Sequence, residues 1–141
     1  MKPFDLWGQR GYPHLDVLGE SNYVKQIAAA LKSIGARPDP SGDIEVVTPV
    51  QLVPEPENRY DRNAVRVLHD RHMLGYLPRE DAARYAPPLS ALLAAGHLPQ
   101  VNARVWAGQS TDWETGRARF TASVRLDQAH GLAGYPLWPG G

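Results

Sequence analysis

Asn58, Tyr60, Asp61 and Asn63 lie close together in the stretch Glu55-Pro56-Glu57-Asn58-Arg59-Tyr60-Asp61-Arg62-Asn63-Ala64-Val65-Arg66-Val67. Short polar side chains of this kind bond to neighbouring backbone and tolerate unusual φ/ψ, so they suit a turn. Turn chemistry accounts for Asn58, Asp61 and Asn63 but gives no reason for a large ring at Tyr60, which makes that ring the first sign of function. Two other groupings invite chemistry. His69-Asp70-Arg71-His72 suggests a metal, but it falls at a hairpin tip where the two imidazoles need not converge, and the chain has no Cys. Glu55, Glu57 and Asp61 are the carboxylates from which a metal-dependent nuclease would be built; the alternation of a strand end is expected to splay them. There is no phosphate-cradling Gly loop and no Ser-His-Asp pattern with a nucleophile elbow. No metal and no cofactor is expected.

The loop must be held by the elements on either side. Before it, Ile44 to Val53 is a β-branched run, with Pro49 pointing to an edge strand or a bulge. After it, Ala64 to His69 alternates with period two, Asp70-Arg71 or Arg71-His72 makes a hairpin tip, and Met73 to Leu77 returns. Val24, Ile27, Ala28, Leu31 and Ile34 recur at helical spacing, with Ser21 or Asn22 as the expected cap and Gly35 closing the helix. A second helix starts near Arg79 behind Pro78, with Glu80 and Asp81 in its first turn; Pro87-Pro88 should break or kink it before Leu89-Leu92-Leu93 continues to Gly96. Strands follow at Val101–Trp106 and Phe120–Leu126, joined by a polar loop carrying Trp113, and a short strand at 14–19 precedes the first helix.

The 141 residues suit one domain with a proper core. Lys+Arg and Asp+Glu are equal at 15 each, which excludes bulk polyanion binding but not a local patch. The balance is uneven: residues 1–58 carry 5 basic and 8 acidic side chains, residues 59–141 carry 10 and 7. No apolar run is long enough to span a bilayer, and no signal peptide is visible, so the expectation is a cytoplasmic domain with no membrane partner. The expected organisation is an N-terminal arm at 1–13, a domain at 14–127 and a Gly/Pro-rich tail at 128–141. In the arm, Phe4 and Trp7 either fray or pack on the domain; in the tail, order depends on Leu137 or Trp138 docking. The fold class is α+β and β-rich, a small partly open OB-like β-barrel of five or six strands with two helices.

The run Glu55-Pro56-Glu57-Asn58-Arg59-Tyr60-Asp61-Arg62-Asn63-Ala64-Val65, followed by Leu74-Gly75-Tyr76-Leu77, resembles the signature of the HIRAN domain family. The resemblance extends from about Val17 to the strand near Val105. It implies a modified oligonucleotide-binding barrel that, in the best understood members, binds the 3′ end of single-stranded DNA. Members occur fused to helicase-like chromatin remodellers and as stand-alone bacterial proteins, which implies DNA repair as a setting and a helicase or repair protein as partner. On this resemblance Tyr60 stacks on the terminal base, Asp61 accepts a bond from the free 3′-hydroxyl, and Asn58 is a neighbouring polar contact. Tyr76 stands where the family has His or Tyr near the backbone, and Arg79 where a basic residue meets phosphate. In the loop Glu20-Ser21-Asn22-Tyr23 only Tyr23 matches; Glu20 repels phosphate, and Arg59 replaces the usual Pro before the motif Tyr.

Such a site is coherent physically. Stacking is worth roughly 1–3 kcal/mol per base. Cations are needed along the backbone, and Arg59, Arg62, Arg66, Arg79 and Arg84 lie near the loop in sequence. An Asp among phosphates is unfavourable unless it meets a donor; a terminal hydroxyl is a donor, and a 3′-phosphate is not. The expected function is therefore a non-enzymatic module binding single-stranded DNA through Tyr23, Asn58, Tyr60, Asp61, Tyr76 and Arg79. The alternatives are a protein-interaction domain using the same groove and a metal-dependent nuclease.

Overall fold

The computed structural model describes residues 2–5, 8–19, 22–111 and 114–129. In chain order these form β1 (Lys2–Asp5), β2 (Gly8–Asp16), α1 (Val24–Ile34), β3 (Ile44–Pro54), β4 (Val65–His69), β5 (His72–Tyr76), α2 (Arg79–Ala94), β6 (His97–Thr111) and β7 (Ala118–Ala129). The longest strand, β6, organises the sheet. Its Val101, Ala103, Val105 and Ala107 are buried while Asn102 and Arg104 are exposed, the alternation of a strand with one face on a core. One side of β6 pairs antiparallel with β3, from Ile44↔Ala107 to Gln51↔Gln100. Along its other side β7 pairs from Ala103↔Leu126 to Thr111↔Ala118, and β1 pairs parallel from Lys2↔His97 to Asp5↔Gln100.

The seven-stranded sheet runs β2-β7-β6-β3-β4-β5, with β1 beside β6. It curls into a half-barrel. Its two ends meet at one point, where Leu18 and Tyr76 exchange backbone hydrogen bonds (Leu18 N–H to Tyr76 O, 2.8 Å; Tyr76 N–H to Leu18 O, 2.9 Å). Gly75 makes this closure sterically feasible. Its φ is 151°, and a Cβ there would lie 2.5 Å from Val17 Cγ1 and 2.6 Å from the Leu18 carbonyl oxygen. The core fills the concave side, with Ile27 and Leu31 of α1 and Tyr85, Leu89 and Leu92 of α2 packed among Val50, Val65, Val67, Leu74, Val105, Val124 and Leu126.

Several expectations change. The arm, which has no periodicity of its own, carries β1 and the first part of β2: β1 takes the count to seven, and β2 extends the strand expected at 14–19 back to Gly8; their strand state is set by pairing with β6 and β7. Pro49 sits in a strand between two others, yet β4 reaches only Gln51–Pro54 of β3, so at Pro49 the described pairing is to β6 alone (Pro49↔Asn102). Asn22 does not cap α1: the N-cap residue is Tyr23, without a side-chain cap bond, and Ser21 lies outside the described residues. Gly35 is the left-handed C-cap expected, at φ 84°. Pro87 and Pro88 do not break α2, which runs through both. Each proline removes one N–H from the ladder, and burial of Pro88, Leu89 and Leu92 on the core holds the following turns. The placements of Trp7, Glu20, Trp113 and the tail from residue 130 onward lie outside the described residues.

Candidate nucleic-acid interface

The loop between β3 and β4 is closed at its base by the Glu55 N–H donating to Ala64 O (2.8 Å). Two tight turns follow inside it, Asn58 N–H to Glu55 O (3.0 Å) and Ala64 N–H to Asp61 O (3.1 Å). Asn58 fixes the tip. Its Oδ1 accepts from the backbone N–H of Tyr60 (2.9 Å) and of Asp61 (3.0 Å), and its Nδ2 donates to Glu55 Oε1 (2.7 Å). Asp61 Oδ1 accepts from Asn63 N–H (2.9 Å), a side-chain turn of the kind its residue type favours. Its Oδ2 faces Arg79 Nε at 3.6 Å, an ion pair rather than a hydrogen bond, with Asp61 largely covered and Arg79 79% exposed. Between these anchored neighbours the Tyr60 side chain stands 85% exposed.

Behind the loop lies a carboxylate that sequence reasoning weighed only as a nuclease ligand. Glu55 accepts from the Tyr76 hydroxyl (3.2 Å to Oε1, 3.4 Å to Oε2) and the Asn58 amide, and forms an ion pair, without hydrogen-bond geometry, with Arg66 Nε (3.3 Å to Oε2). Burial pushes the Tyr76 phenol up to about 12, assisted by the negative charge of Glu55 and by the neighbouring Tyr23. A phenol that keeps its proton and donates to a carboxylate is a fixed strut. The sequence signal for Glu55 was its position: an acid just past the end of β3, two residues after Val53, which shares its row with Arg66 and Tyr76 across β4 and β5.

Of the six residues expected at the site, Asn58, Tyr60 and Asp61 share the loop, and Arg79 joins through Asp61. Tyr76 joins through Glu55, and Tyr23 stands near the Tyr76 hydroxyl. The wider set of arginines separates: Arg84 pairs with Asp81 at 3.6 Å and lies over the Tyr85 ring at 5.0 Å, while Arg59 and Arg62 are exposed on the loop. The hairpin tip is Asp70-Arg71, with Asp70 at φ 52°, and the register sets His69 directly opposite His72. Among the described residues no group of three or more His, Asp and Glu side chains is arranged to hold a metal, and Glu55, Glu57 and Asp61 form no such cluster. Among the described residues no helix is long and apolar enough to cross a membrane.

The fold and loop together define a small α+β half-barrel that presents a rigid aromatic–carboxylate tip on a strand-to-strand connection. Residues 28–123 match the HIRAN domain, and the chain belongs to that family, a family of nucleic-acid-binding modules. The matched span contains every expected site residue except Tyr23. Among solved structures, the chain is similar to a crystallised protein from Lactobacillus plantarum, at 22% identity and TM-score 0.38 over 82% of this chain and 92% of that one. It is also similar to the HIRAN domain of human HLTF, at 17% identity and TM-score 0.38 over 80% of this chain and 72% of that one. No curated protein matches the chain.

Proposed function

We propose that this domain binds single-stranded DNA at its 3′ end, without catalysing a reaction on it. The observation that carries this reading is the Tyr60 ring, held 85% exposed on a loop whose backbone is clamped on both sides by Asn58 and Asp61. An exposed ring on a fixed backbone is a ready stacking surface that loses little conformational freedom on binding. Asp61 Oδ2, engaged only by a loose ion pair, accepts the 3′-hydroxyl, and Arg79 turns from it to the adjacent phosphate. Asn58 holds the tip; its second amide hydrogen faces the ligand. Tyr76 and Tyr23 form the wall behind. In this reading a helicase or repair protein uses the domain to find strand ends.

Fluorescence anisotropy with a short labelled strand ending in 3′-hydroxyl or 3′-phosphate, at two salt concentrations, tests it. The hydroxyl end binds more tightly, affinity falls with salt, and Asp61→Asn narrows the difference between ends. Equal affinity for both ends would remove end recognition. A second reading, docking of a protein segment in the same groove, is favoured by the pairing of Arg79 and Arg66 with carboxylates, which lowers the local positive charge. Its signature is absence of strand binding at low salt.

A further inference from the structure

Arg66 differs from the exposed loop arginines Arg59 and Arg62 in being partly buried and ion-paired while keeping donors to spare. It lies on β4 between Val65 and Val67, both fully buried, so its side chain is on the outward face. Its direct neighbours across the sheet are Val53 on β3 and Tyr76 on β5. The Nε atom is buried beside Glu55 Oε2 at 3.3 Å, an ion pair that lacks hydrogen-bond geometry, yet the side chain as a whole is 38% exposed. A guanidinium carries five N–H donors in a rigid fork, and among the described residues Glu55 is its one polar partner. Among the described residues its terminal amino groups are therefore uncommitted.

Resting on the end-binding reading above, we infer that Arg66 grips an internal phosphodiester of the bound strand and that Glu55 is its positioning residue. One Glu55 carboxylate orients Arg66 through Oε2 and the loop-forming Asn58 through Oε1, so the cation has a fixed place relative to the Tyr60–Asp61 tip. A strand whose last nucleotide is seated at that tip continues over the outward face of β4 and β5, past Arg66 and Tyr76. Arg59 and Arg62 are exposed on the loop and must be ordered by the ligand; Arg66 already has its Nε buried beside Glu55, which restricts it beforehand and lowers the entropy lost on binding. If the Arg66–Glu55 pair were only structural, it would contribute little to stability at this exposure and would be indifferent to where the ligand carries charge.

The experiment is a scan in which a neutral methylphosphonate replaces each of the last few linkages of a 3′-hydroxyl strand in turn, with affinities measured for the wild-type chain and for Arg66→Gln. Wild type loses roughly tenfold at one internal linkage, the scale of a charge-assisted hydrogen bond. Arg66→Gln binds the unmodified strand more weakly by a similar factor and shows no further loss at that linkage. Arg66→Lys, which keeps charge and stem, stays sensitive at the same linkage and serves if the Gln variant does not fold. Glu55→Gln keeps the acceptor oxygen for Asn58 but spreads the sensitivity over neighbouring linkages. Identical scans for wild type and Arg66→Gln would overturn the contact, and an unchanged scan in Glu55→Gln would overturn the positioning role. Failure of wild type to bind any strand would instead remove the end-binding reading, and this inference with it.

Discussion

Replacing Tyr60 by Ala separates binding from stability cleanly, because the ring contributes almost nothing to the folded chain. With 85% of the residue exposed, a side chain that can bury roughly 150–250 Å² covers on the order of 30 Å². At about 25 cal/mol per Å² that is below about 1 kcal/mol of stability. The loop does not depend on the ring either, since Asn58 Oδ1 bonds the Tyr60 backbone N–H and not its side chain. A stacked base, by contrast, is worth roughly 1–3 kcal/mol, a loss of about 5- to 150-fold in affinity. Urea unfolding and anisotropy on one preparation read both quantities. Tyr60→Ala unfolds within about 1 kcal/mol of wild type and binds a single strand at least fivefold more weakly, and Tyr60→Phe restores binding. A folded Tyr60→Ala with affinity within twofold of wild type would show that the ring is not the platform.

Gly75→Ala strains a backbone at φ 151° and drives a Cβ against Val17 and the Leu18 carbonyl. Strain and two lost backbone bonds together cost about 3–5 kcal/mol, measured by urea unfolding. Asn58→Ala leaves two loop N–H groups without their acceptor; it lowers stability by about 1–2 kcal/mol and also weakens strand binding, unlike Tyr60→Ala, which affects binding alone. Tyr76, raised to about 12, holds its proton more tightly folded than unfolded. Its contribution to stability is therefore complete below the ordinary tyrosine value near 10 and is lost as pH rises through about 12. In phenolate absorbance titrations one tyrosine signal emerges near pH 12, and Glu55→Gln moves it down.

The hairpin of β4 and β5 was legible because its information is local: Val65 and Val67 alternate with Arg66, and Asp70-Arg71 supplies the tip. The loop was legible for the same reason, since Asn58 and Asp61 bond backbone two or three residues away. Elements without local information were not. β1 and the first part of β2, before the strand expected from His14, span Pro3, Gly8, Gly11 and Pro13, residues of low strand preference, and their pairing is dictated by edges of β6 and β7 far along the chain. The two prolines of α2 contradict helix propensity and are overruled by burial of the turn that contains them. Glu55 was visible as an acid but not as a hub, because its partners Asn58, Arg66 and Tyr76 converge only once the register of three strands is set. The ion pair of Asp61 with Arg79 likewise joins a loop to a helix that the intervening hairpin brings back.

Closure of the curled sheet through Leu18 and Tyr76 has a kinetic side. The pair is an isolated bridge between parts of the chain 58 residues apart, with no ladder on either side to support it, so it is expected to open more readily than the continuous β3–β6 ladder. Amide hydrogens of Leu18 and Tyr76 therefore exchange with solvent deuterium through small openings, while those of the buried Val67 and Val105 wait for global unfolding. Tyr76 also leans on Glu55 behind the candidate site. A ligand seated there binds the closed form and slows exchange at Leu18, a residue that need not touch it. On the proposed end-binding reading, the seam is therefore expected to report occupancy, readable before any ligand contact has been mapped.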